Sequence, residues 1–61
     1  MNQLFRAIYS RKGSCHGQTF AVPAGLFAAE AAREFAEQEV MFYARTLDDD
    51  AQLLTVIPVR G

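Results

Sequence analysis

The chain has 61 residues with a net charge of −1, half of them apolar (51%) and a fifth charged (21%), which is a globular composition for one domain and not a disordered one. A domain of about 60 residues buries only roughly 60% of the surface its unfolded chain exposes, so it sits near the lower limit for folding alone. One cysteine, Cys15, excludes an internal disulfide, and one histidine beside it cannot complete a four-ligand zinc site. Self-association or a partner protein is the remaining source of added stability.

No apolar run approaches the roughly 18 residues needed to span a bilayer, and no basic segment followed by an apolar stretch opens the chain. A single unpaired cysteine suits a reducing compartment, so the expected setting is cytoplasmic, without a membrane partner. Charge is unevenly spread. Arg6, Arg11 and Lys12 precede residue 26 with no acid among them, whereas Arg33, Arg45 and Arg60 face all seven acids. Such a split can orient a domain on a charged partner.

In chain order, Leu4 to Tyr9 is rich in β-branched and aromatic residues and predicts a strand, with Leu4, Arg6 and Ile8 on one face and Phe5, Ala7 and Tyr9 on the other. The polar run Ser10 to Gly17, with Gly13 and Gly17, reads as a flexible loop. Gln18 to Val22 predicts a short second strand that Pro23 ends. Leu26 to Gln38, dominated by Ala, Glu, Phe and Arg, predicts a helix with Gly25 as its N-cap. At 100° per residue, Phe27, Ala28, Ala31, Ala32 and Phe35 form its core-facing arc, opposite Glu30, Arg33, Glu34 and Glu37. Val40 to Leu47 reads as a third strand, Asp48 to Asp50 as a turn, and Leu53 to Val59 as a fourth strand.

The predicted fold is therefore α+β: a small antiparallel sheet in β-β-α-β-β order, with one amphipathic helix packed on one face. One helix covers only one side of such a sheet. Both sides of the predicted last hairpin carry large apolar groups, with Phe42, Leu54 and Val56 against Met41, Tyr43, Leu47, Leu53 and Ile57. An uncovered apolar set on a small protein marks a contact surface.

Reactive constellations are scarce. The segment Arg11 to Gly17 holds Cys15 and His16, but sequence neighbours rarely face each other and no third orienting group is at hand. Its spacing is not that of a P-loop, although two cations beside glycines suit an anion contact. Asp48 to Asp50 lacks the alternating acids, glycine and distal glutamate of an EF-hand. Glu30, Glu34 and Glu37 form a solvated stripe without a cleft. The aromatics Phe5, Tyr9, Phe20, Phe42 and Tyr43 could stack bases, yet in so small a chain they are more often core. No catalytic, cofactor-binding or metal-binding residue is predicted.

The functional expectation is a non-enzymatic protein-binding module that uses its second sheet face or its oppositely charged ends, with Tyr43, Arg45 and Leu47 as contacts from the sheet and Asp48, Asp49 and Asp50 as an electrostatic rim. In size, in lack of catalytic groups and in compact layout the chain resembles small phage or mobile-element inhibitors of host machinery, anti-CRISPR proteins among them. That general resemblance implies steric occlusion of a protein and assigns no residue. Two alternatives stand beside it: a nucleic-acid-binding module using Arg6, Arg11, Lys12 and Arg45, and a homodimer joined through sheet faces or edge strands.

Overall fold

The computed structural model describes residues 1–60. Strand β1 (Asn2–Arg11) and strand β2 (Ser14–Pro23) form an antiparallel hairpin, followed by a helix and strand β3 (Gln52–Val59). The sheet has three strands in the order β2-β1-β3, with β1 central and antiparallel to both neighbours. The class is α+β, with the helix between β2 and β3.

The expected loop over Ser10 to Gly17 is instead mostly strand. Lys12 and Gly13 have φ of 50° and 79°, and Arg11 pairs directly with Ser14, so two residues complete the turn. Positive φ at both central positions is the type I′ geometry whose twist matches the flanking strands. Ser14, His16 and Gln18 are polar because the core does not reach this end of β2: Ser14 and Gln18 are exposed and His16 half-buried, whereas Phe20 and Val22 farther along the same face are buried.

The helix begins at Ala28, with Phe27 as N-cap and the Gly25 carbonyl accepting the Ala28 amide at 3.2 Å, so Gly25 belongs to the preceding turn. Phe27 is 70% exposed and does not enter the core, and Phe35 lies at its margin. The helix then runs on through the segment expected to be a strand. Helix α1 (Ala28–Phe35), a π-helical turn (Ala36–Val40) and helix α2 (Met41–Leu47) are continuous, since the residues at both junctions have helical φ and ψ. Strand alternation would place Val40 and Phe42 on one face, but Val40 is 2% exposed and Phe42 68%. Burial of Val40, Met41 and Ala44 follows the helical period instead.

The π turn has a packing reason. Ala28, Ala32, Ala36, Val40 and Ala44 are all buried, a stripe at every fourth residue. In a 3.6-residue helix such a stripe drifts about 40° per step and would leave the sheet after two or three steps. A turn with i→i+5 bonding holds more residues and rotates the stripe back. The alanines then let the backbone lie close over Phe5, Ala7 and Tyr9 of β1 and Phe20 and Val22 of β2, with Met41 fully enclosed. Phe20 stacks between Phe5 (centroids 6.5 Å) and Phe35 (4.7 Å).

The helix ends where Asp48 turns to extended φ and ψ. Its Oδ1 accepts the Asp50 amide at 3.0 Å, and its carbonyl accepts the Ala51 amide at 3.0 Å, which makes the expected aspartate turn. A bulge follows in β3: Ile8 pairs with Thr55 and Tyr9 with Leu53, leaving Leu54 extra and half-exposed.

Candidate functional site: the uncovered sheet face

The helix covers the face of the sheet that carries Phe5, Ala7 and Tyr9. The other face bears the alternate residues. Register sets Arg6 between Thr19 and Ile57, Leu4 between Ala21 and Val59, and Ile8 between Gly17 and Thr55. Leu4 (39%) and Ile57 (44%) are exposed, and Ile8 and Val59 are half-buried. A hollow at the Met1 end of the sheet, lined in part by Leu4, Ala24 and Val59, continues this surface.

Arg6 is held in its centre. The Arg6 Nη1 donates to Thr19 Oγ1 at 3.1 Å. Its guanidinium lies across Gly17, where an added Cβ would come within 2.5 to 2.6 Å of Nη2, Cζ and Nε. The absence of a side chain at Gly17 thus makes the seat that keeps the cation flat on the sheet. No Asp or Glu occurs in any of the three strands, so no carboxylate of this face neutralises it. The surface is apolar, with one positively charged centre.

The residues singled out from sequence are not gathered on this face. Tyr43, Arg45 and Leu47 lie on α2, exposed to solvent and not on the sheet. A spacing of two puts Arg45 well around the helix from Tyr43, whereas Tyr43 and Leu47, four apart, share a flank. Met41, expected beside them, is buried. Phe42 and Tyr43 are 68% and 60% exposed, two large apolar side chains on the solvent side of α2. Asp49 and Asp50 are exposed, but Asp48 is a structural residue. Its Oδ2 accepts the Lys12 amide at 2.7 Å, tying the helix end to the hairpin turn.

Those two amide bonds, to Lys12 first and to Asp50 second, hold the Asp48 carboxyl below its ordinary value of 3.8, with help from the charges of Lys12 and Arg11. A carboxylate with a depressed folded pKa contributes stability that is present above its unfolded pKa and lost as pH falls through the folded one. Asp48→Asn should accordingly lower the melting temperature at neutral pH. The gap to the wild type should close as pH drops below about 4, which melting curves across an acid series would follow.

The proposed cations are dispersed as well. Arg6 lies on the open sheet face, Arg11 and Lys12 at the hairpin end beside Asp48, and Arg45 on α2. Phe5, Tyr9 and Phe20 are core residues, so they offer no stacking platform. Cys15 and His16 point to opposite faces, as consecutive strand residues must. His16 stacks on Tyr9 at 5.7 Å on the helix side and Cys15 is exposed, so they form no pair.

The alternation of Leu4, Arg6 and Ile8 was a readable signal for this face. The seat at Gly17 and the contribution of Val59 depend on register and were not. Among the described residues, no helix is long and apolar enough to cross a membrane. Comparison with protein-family models, with curated proteins and with solved structures found no match.

Proposed function

We propose that this domain is a non-enzymatic protein-binding module that docks through its uncovered sheet face. The observation that carries this reading is the set Leu4, Ile8, Ile57 and Val59 around a seated Arg6 with no acid in the three strands. Apolar area supplies affinity, and the central cation selects a partner segment with a carboxylate flanked by apolar groups. The mode proposed is steric occlusion, as in the small phage or mobile-element inhibitors of host machinery that the chain resembles in size and layout. The α2 flank with Tyr43 and Leu47, followed in the chain by Asp49 and Asp50, supplies a secondary contact, Arg45 lies around the helix from it, and Asp48 ties the helix end to the hairpin turn.

The test is capture from an extract of the source cells by wild type, Arg6→Glu, Ile57→Asp, Glu34→Lys and Leu47→Asp. A protein retained by wild type and Glu34→Lys but lost with Arg6→Glu and Ile57→Asp supports the reading. Retention by both sheet-face variants with loss on Leu47→Asp moves the surface to the helix.

A further inference from the structure

Strand β2 is an edge strand of ten residues, and its free side is unusually clean. In a two-residue hairpin the pair flanking the turn, Arg11 and Ser14, exchanges hydrogen bonds, and bonded and non-bonded pairs alternate from there. The amides and carbonyls of Cys15, Gly17, Thr19 and Ala21 therefore point away from β1. Their side chains are all small, and between Ser14 and Pro23 there is no Lys, Arg, Asp or Glu. The opposite edge is blunted. The same alternation along β3 leaves Pro58, paired with Phe5, without a donor on its free side, and Leu54 forms a bulge. Proline, bulges and charges are the devices that keep an edge unpaired, and β2 has none of them before Pro23.

We propose that β2 is a self-association edge at which two copies pair antiparallel about a two-fold axis, joining two three-stranded sheets into one with both helices on the same face. The occupant is a second copy for two reasons. Antiparallel self-pairing sets residues near the axis against their own mates, which penalises any charge there, and β2 carries none. In addition, one register alone pairs every outward-pointing residue: Cys15 with Ala21 of the second copy and Gly17 with Thr19. That register sets Gln18 against its own mate, and His16 beside Phe20, whose ring already stacks on the half-exposed Phe35. The Arg6 guanidinium over Gly17 then approaches its counterpart across the axis, so added salt strengthens the pairing instead of weakening it.

Sedimentation equilibrium on the full chain, with circular dichroism to confirm folding, tests the pairing. Wild type is expected to form a dimer that tightens with salt. Gln18→Lys and Gln18→Glu should each weaken it by up to about fivefold, and an equimolar mixture of the two should restore it. Gln18→Cys combined with Cys15→Ser should cross-link between copies under mild oxidation, because non-bonded antiparallel pairs bring Cα atoms to about 4.5 Å, within disulfide reach. Native Cys15 should not, being roughly 20 Å from its mate. A monomer persisting at about millimolar protein overturns the proposal. So does a dimer that cross-links through Cys15, or one broken by Ile57→Asp but indifferent to Gln18. Partner capture that survives Arg6→Glu and Ile57→Asp, with the dimer intact, would instead strike the sheet-face reading alone.

Discussion

Met41→Ala should leave the domain largely unfolded at room temperature. Met41 is one of the two largest fully buried side chains, enclosed between the helix and the sheet. Truncating a buried methionine to alanine costs about 2–5 kcal/mol, part lost transfer energy and part residual cavity. A core of this size supplies no more than about 3–5 kcal/mol in total, so the loss matches most of the stability there is. The pairing proposed for β2 would raise the apparent stability with concentration, so the measurement should be made at fixed protein concentration. The control is Phe42→Ala. Phe42 is the next residue but 68% exposed, and its truncation should shift stability by no more than about 0.5 kcal/mol. Thermal melts of the two variants read the difference directly. Similar melting temperatures would mean that residues 40–47 do not pack as a helix on the sheet.

Ala32→Leu should be nearly as damaging for the opposite reason. Ala32 and Ala36 are completely buried in the core cluster with Phe5 and Phe20 of the sheet, where Phe35 of the same helix stacks on Phe20. No space is left for a larger group, and overpacking of this kind costs about 1–3 kcal/mol or more. Leucine is as good a helix former as any residue but alanine, so propensity does not account for the loss. Ala29→Leu, on the exposed side of the same helix, makes the same chemical change and should be close to neutral. Denaturant titration of both variants separates packing from propensity. Equal midpoints would show that the helix stands off the sheet.

The first of these predictions turns on the segment where the sequence reading and the structure part. Val40, Phe42, Tyr43 and Thr46 are residue types enriched in strands, and their alternation suggested a hairpin with residues 53–59. The countersignal was present. From Leu26 to Leu47 the chain contains no Gly, Pro, Asn, Asp or Ser, so nothing there makes the turn that a helix ending at Gln38 and a strand starting at Val40 would need. Tertiary burial of Val40, Met41 and Ala44 outweighs local strand preference. The same error carried over to the candidate site. Tyr43, Arg45 and Leu47 share one face only if the period is two, and on a helix they diverge.

Several features were written into the chain alone. An α+β domain, a first strand with Arg6 flanked by Leu4 and Ile8, an alanine-lined helix face, the aspartate turn, and one sheet side without cover all follow from residue type and local period, which neighbours in sequence determine. Pairing across distance belonged to the tertiary structure. Which strand is central, that Gly17 lies beside Arg6 and leaves room for its guanidinium, that Pro58 and Leu54 blunt one edge while β2 stays open, and that a π turn keeps the helix stripe on the sheet are consequences of register and packing. The physical reason is one of range. Propensity and periodicity act over a few residues, whereas a strand's neighbours and a helix's phase are chosen by the apolar surface that the whole chain can bury together.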